Sequence, residues 1–282
     1  MRSPLAVFFI VLFLAVNVLF MLAPTAMLAI QAVFDDDGAF TLEYFQALAQ
    51  YQYASSFENS LILSLLSATV GVIAGGLIAF AVLKDDAPRW LRSVVTSFSA
   101  VAANFAGVPL AFSFIATLGT LGLLTKLLKT WGIDIYAAGF SLYSIGGLTL
   151  VYSYFQIPLM VIIFFPALEA LRPSWREAAE NLGASTWQYW RLVGLPVLAP
   201  SLLAAWILLF GSAFSAYGTA YALTSGNIAL VTTEISAVLS GNVVSEPQIG
   251  AALSVGMIVV MVLVLLASNL LSARAARWSV KS

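Results

Sequence analysis

The sequence predicts an all-α, polytopic membrane protein with six transmembrane helices. Three observations predict it. The 282 residues are 61% hydrophobic and only 9% charged, with a mean hydropathy of +0.99, whereas a soluble domain is about half apolar and about a quarter charged. Six stretches reach the roughly 20 mainly apolar residues that a helix needs to cross the hydrocarbon layer. The basic residues switch sides in step with those six stretches.

The first span, about 5–34, follows Arg2 and stays apolar throughout. A cleavable signal has an apolar core of only about 7–15 residues, so this run reads as an uncleaved span. The second, about 57–83, carries Gly75-Gly76, which reads as a point of close helix packing. The third, about 93–123, is the least regular: Ser and Thr dot its first half, and Asn104, Gly107 and Pro109 interrupt it. The fourth, about 145–171, places Tyr154 and Gln156 ahead of Pro158. The fifth, about 195–224, carries Ser212, Ser215, Tyr217 and Thr219 around Gly211 and Gly218. The sixth covers about 248–273. No linker, low-complexity tract or second soluble domain interrupts the chain, so residues 1–282 read as one transmembrane domain.

Orientation follows from Lys and Arg. Arg2, the loop with Lys84, Arg89 and Arg92, the loop with Arg172, Arg176 and Arg191, and the tail with Arg274, Arg277 and Lys281 fall on one side. Only Lys126 and Lys129, of twelve basic residues, fall on the other. Both termini are therefore expected inside, with the loop 172–196 on the cytoplasmic face. The opposite loops hold Asp35, Asp36, Asp37, Glu43, Glu58, Asp134, Glu234 and Glu246. Acidic residues show little side preference, so they carry no ligand reading.

Composition excludes several chemistries. Cys and His are both absent, which removes disulfides, thiol nucleophiles, imidazole bases and the usual zinc sites. No metal site and no catalytic residue is expected. No G-x-x-x-x-G-K-[ST] occurs, so the chain has no visible means of binding ATP. Glu177 and Glu180 share a helix face at i, i+3, but no cleft accompanies them. No basic tract tracks a phosphate backbone, which leaves no case for nucleic acid. No charged residue stands at mid-depth, which argues against a proton relay or voltage sensor.

Uncharged polar residues at depth are more informative, because burying them unpaired is costly. Asn104, Tyr154, Gln156, Ser212, Ser215 and Tyr217 are candidates for a polar translocation path. The plainer reading is helix–helix hydrogen bonding with prolines as kinks.

The loop stands out as a structured polar hairpin between greasy runs. Glu177–Pro196 reads EAAENLGASTWQYWRLVGLP. Ser174 and Glu177 fit a capping box at the start of one short helix, and Gly183 fits the left-handed residue that ends it. Ser185 and Gln188 offer a second capping box, and Pro196 is expected to limit the second helix. Trp175, Trp187 and Trp190 read as interfacial aromatics or partner contacts.

This stretch resembles the cytoplasmic loop of membrane subunits of binding-protein-dependent ABC importers. Their pattern is E-A-A, three residues, G, nine residues, then I-x-L-P. Here Glu177-Ala178-Ala179 is followed at that spacing by Gly183 and then by Val193, Gly194, Leu195 and Pro196; Val193 in place of Ile is the one departure. The loop lies about 100 residues from the C-terminus, with two spans after it.

The resemblance implies a type I importer permease with the MetI-like fold, in the bacterial inner membrane. It implies that the loop supplies a coupling helix for two separate ATPase subunits, with Glu177, Ala178, Ala179, Gly183, Leu195 and Pro196 as the coupling residues. ATP and Mg would sit on those partners, and this chain would bind no cofactor and catalyse nothing. A second permease subunit, expected to be a different chain, and an extracytoplasmic substrate-binding protein complete the implied assembly. Tyr152–Gly183 and Phe214–Tyr221 look like the spermidine/putrescine branch, which implies a small polar solute, polyamine first. The rival classes are an ion-gradient-driven secondary transporter or channel and a membrane-bound enzyme. The missing intramembrane carboxylates, His and Cys disfavour both.

Overall fold

The computed structural model describes residues 4–35, 37–83, 88–240 and 247–279. Arg2, Asp36, Lys84, Glu246 and Lys281 lie outside the described residues. In chain order the helices are α1 Pro4–Gln31, α2 Glu43–Ala47, α3 Tyr51–Val82, α4 Arg89–Asn104, α5 Val108–Leu118, α6 Leu123–Thr130, α7 Ile145–Glu169, α8 Pro173–Asn181, α9 Thr186–Tyr189, α10 Leu195–Ser215, α11 Gly218–Thr224, α12 Val231–Leu239 and α13 Pro247–Ser279; a π-helical turn, Trp190–Gly194, joins α9 to α10. No strand occurs among the described residues; Phe34 and Phe40 form an isolated bridge around the Gly38 turn. Among the described residues, six helical segments are long and apolar enough to cross a membrane: Val7–Gln31, Tyr51–Val82, Val108–Thr130, Ile145–Glu169, Thr186–Ser215 and Pro247–Leu270.

Two of the runs differ from single helices. The run expected over 93–123 divides into α4 and α5. Gly107, at φ 76°, takes a left-handed backbone, and Pro109 then opens the first turn of α5, where its missing N–H costs nothing. The run expected over 195–224 divides at Ala216, whose backbone is extended, and restarts as α11 at Gly218.

The chain groups into two compact units. In the first, residues 1–57 and 231–260, Ala32, Ala251 and Ala252 are buried with Leu28, Tyr44, Phe45 and Leu48 around them. Tyr53, Val231 and Leu253 form a second cluster with Phe57 and Ile235. Gln52 Nε2 donates to Glu234 Oε2 at 2.8 Å. Most large apolar side chains of α1 are exposed, Phe8, Phe13, Leu19 and Phe20 among them.

In the second, residues 58–230 and 261–282, α7 is the core helix. It is apolar on every face, as a helix enclosed by others must be. Leu148, Val151, Tyr152, Phe155, Gln156, Met160 and Val161 are all buried. α4, α10 and α5 pack against it. α3 approaches through Gly71 and Gly75, a G-x-x-x-G pair: a Cβ on Gly75 would lie 2.6 Å from the Ile157 carbonyl oxygen, and one on Gly71 would lie 2.7 Å from Leu209 Cδ2. Gly76 is not the close contact; a Cβ there would meet only Met160 Cε at 3.7 Å. Outside the spans, Asp134 accepts from the Ala137 and Tyr136 N–H groups and pairs with Lys129. The Ala137 bond first, then Lys129, holds its carboxyl below the usual range.

Candidate functional site

The loop 172–196 folds as two short helices with a sharp joint. α8 starts at Pro173, with Arg172 in the cap position and no side-chain cap. Ser174 therefore sits inside the first turn, and the expected Ser174–Glu177 capping box is not formed. Pro173 displaces it by fixing φ for the first helical position. Gly183 is left-handed at φ 78°, its N–H donates to Glu180 O at 2.9 Å, and Ala184 N–H donates to Ala179 O at 2.9 Å. This is the Schellman closure that a glycine at this position serves. Ser185 then caps α9, with both bonds of its box to Gln188 present.

Pro196 does not end the second helix. The π turn Trp190–Gly194 carries the chain directly into α10, and Pro196 falls in the first turn of that helix. A π turn shifts the hydrogen-bond register by one residue. The proline, which has no N–H to give, is thereby accommodated. Trp190 packs edge-on against Phe80, with centroids 5.0 Å apart, and lies over Gly194.

α8 presents two chemistries. Ala178 and Ala179, with Trp175, Leu182, Val193 and Val197, line an open apolar groove of about 400 Å³. Leu182 at its edge is 88% exposed, which no isolated polar loop requires. On the other side, Arg172, Arg176, Glu177 and Glu180 line a larger charged cavity, closed by Phe80, Leu168 and Trp190. Arg176 and Glu180 pair at 3.0 Å. Leu195 is exposed at the start of α10.

The candidate path residues divide. The two helix breaks meet: Gly107 N–H donates to Thr219 Oγ1 at 2.8 Å, and a Cβ on Gly218 would lie 3.5 Å from Gly107 Cα. Tyr152 Oη donates to the Ala216 carbonyl at 3.0 Å. Irregular backbone in a membrane span persists where such partners take up its freed groups. Asn104 ends α4 beside one break, exposed, with Nδ2 donating to Ala100 O. Tyr154 packs edge-on between Phe105 and Phe114. Ser215 and Tyr217 flank the other break, Tyr217 stacked on Tyr221 with centroids 5.2 Å apart.

Gln156 lies elsewhere. It is fully buried, its Nε2 donating to Leu209 O at 3.0 Å and to Ser67 Oγ at 3.4 Å. That is a bond among α3, α7 and α10, so the plainer reading fits it. Ser212 is half-buried within α10. Tyr152 escaped the sequence reading, although a Tyr-Ser-Tyr run in an apolar helix marked the place. Arg92 also escaped it, having counted there only as a charge.

The family model of the binding-protein-dependent transport system inner membrane component matches residues 71–282. The chain belongs to that family. It is a multi-pass inner-membrane protein with the fold of an ABC importer permease. The permease is 26% identical over 226 residues to the sulfate transport system permease protein CysW of Synechocystis sp., covering 79% of this chain and 78% of that one. It is 26% identical over 191 residues to the spermidine/putrescine transport system permease protein PotC homolog of Mycoplasma genitalium, covering 67% of this chain and 60% of the relative. A bacterial alginate ABC transporter, solved with its alginate pentasaccharide-bound periplasmic protein, shares the permease fold at TM-score 0.75 and 18% identity, covering 97% of this chain and 95% of that chain.

Proposed function

We propose that this permease forms half of a translocation path and couples it, through the loop 172–196, to a separate ATPase. One observation carries the reading: a chain with no phosphate-binding loop of its own carries an exposed two-helix loop whose small residues line an apolar groove. Ala178 and Ala179 let a partner helix or groove wall approach closely. Gly183 sets the angle between α8 and α9. Leu182, exposed as it is, gains from burial against a partner; covering a leucine is worth about 1.5–3 kcal/mol. The loop faces the cytoplasm in this reading, on the charge pattern alone.

The path runs past the paired breaks, where Asn104, Phe105, Tyr154, Ser215 and Tyr217 gather. A second permease completes it, and a periplasmic binding protein delivers the solute, as the alginate transporter's complex illustrates for that system. The chain itself hydrolyses nothing. The substrate we propose is a small polar solute. The relative named for sulfate matches at 26% over 226 residues and the one named for spermidine/putrescine at 26% over only 191, so sulfate stands ahead of the polyamine expectation. An ion-gradient transporter is the disfavoured reading.

Gly183→Leu tests the coupling role. A Cβ at Gly183 meets nothing within 4 Å, so the variant's cost is backbone strain of about 1–2 kcal/mol, confined to the joint. Uptake of radiolabelled sulfate and spermidine by cells expressing the complex should fall at least tenfold for whichever solute is carried. Membrane insertion of the chain should persist. Unchanged uptake contradicts the coupling role.

A further inference from the structure

Arg92, in the first turns of α4, lies across two residues of α7. Its guanidinium pairs with the Glu169 carboxylate and sits 5.9 Å from the Phe165 ring centroid. Phe165 and Glu169 are four residues apart and so share one helix face. Phe165 is buried and holds its place. Pro166 stands between the two, in the last turn of α7, where it removes a backbone hydrogen bond. Glu169 is the final residue of α7, three positions before Arg172, the cap residue of α8. The clamp therefore grips the root of the loop just where its own helix is weakened.

The pair contributes little to stability. Its side chains are 48% and 45% exposed, and ion pairs in such settings are worth about 0–1 kcal/mol. Its placement is more telling. The part of α4 from Arg92 to Asn104 is about 18 Å long at about 1.5 Å per residue. It ends at the break whose Gly107 N–H bonds Thr219. One rigid helix thus joins the root of the loop to the paired breaks.

We propose that Arg92 is a positioning residue that ties α4 to the root of the coupling loop, so that displacement of the loop is carried along α4 to the break at Gly107. The inference rests on the coupling role proposed above. It makes the Arg92–Glu169 clamp the link between loop and path.

The chain has no cysteine, which allows a direct test. Ala106, exposed in the break, is replaced in an Ala106→Cys chain purified as the full transport complex in lipid nanodiscs. Maleimide labelling is compared without nucleotide and with ATP plus vanadate. The Ala106→Cys chain should change its labelling rate at least threefold. Adding Arg92→Glu should bring that ratio close to one, while the ATPase still co-purifies and the melting temperature holds. Adding Glu169→Arg to that variant should restore the change, which a merely structural role would not give. Glu169→Gln provides a milder break if charge reversal lowers the yield. A threefold change that survives Arg92→Glu or Glu169→Gln overturns the proposal, as does a labelling rate insensitive to nucleotide in a complex that retains its ATPase. A chain that brings down no ATPase overturns the coupling role itself.

Discussion

Single residues decide whether the loop holds its shape. Gly183 is the clearest case: its left-handed φ closes α8, and nothing crowds its Cα, so conformation alone excludes larger residues there. The two serines before and after it are not equivalent, although each begins an S-x-x-E/Q pattern. Ser185 holds the Gln188 N–H, and Gln188 Oε1 accepts from Ser185 N–H at 2.7 Å. Ser174 caps nothing, because Pro173 already occupies the first position of α8. Ser185→Ala should therefore loosen the loop by about 1 kcal/mol, while Ser174→Ala should change it by a few tenths. Limited proteolysis within 172–196, compared at equal expression, measures the difference; equal cleavage of the two variants contradicts the assignment. The serine motif was legible in both places. What the motif could not convey is that the neighbouring proline moves the helix start by two residues, from a cap at Ser174 to one at Arg172.

At the scale of elements, the number of spans was legible, but the third falls at Val108–Thr130 and the fifth at Thr186–Ser215 rather than over 93–123 and 195–224, and their interruptions were only half legible. Gly107 and Pro109 announced a break in the third run, whereas the break in the fifth went unread although Gly218 marks it. Nothing local said that the breaks meet, since Gly107 and Thr219 are more than a hundred residues apart and the bond between them is purely tertiary. Arg92 and Glu169 stayed hidden for the same reason. Helix packing was legible in kind but not in place. The doublet Gly75-Gly76 drew attention, whereas contact with α7 runs through Gly71 and Gly75, one turn apart on a single face. The two glycines of the doublet point in different directions, and that separates them by experiment. Gly75→Ala forces a methyl against the Ile157 carbonyl and should cost about 1–3 kcal/mol. Gly76→Ala gains helix propensity with only an ordinary contact and should be neutral or slightly stabilising. Thermal unfolding in detergent reads the order of the two; Gly76→Ala falling further than Gly75→Ala contradicts the packing.

At the scale of the whole molecule, the division of labour follows from what the chain lacks as much as from what it has. Among the described residues, its spans hold a buried core about α7 and a hydrogen-bonded pair of broken helices, and their carboxylates, Glu58 and Glu169, stand toward span ends rather than at mid-depth. Its loop holds exposed leucine and alanine beside a charged cavity. Together these fit the proposed conduit worked by another protein's energy. Composition already indicated a membrane protein, and the resemblance at the E-A-A spacing implied the attachment; the geometry of the groove came only with the fold, because Val193 reaches it from within the π turn and Val197 from beyond it. The most direct test is affinity purification of the tagged chain from its own membranes, with mass spectrometry of what accompanies it. The wild-type chain should bring down an ATPase carrying a phosphate-binding loop, and Ala178→Trp, which fills the groove from α8, should lose it at least tenfold while inserting normally. A wild-type chain that brings down no ATPase, or an Ala178→Trp chain that retains it in full, would contradict the account.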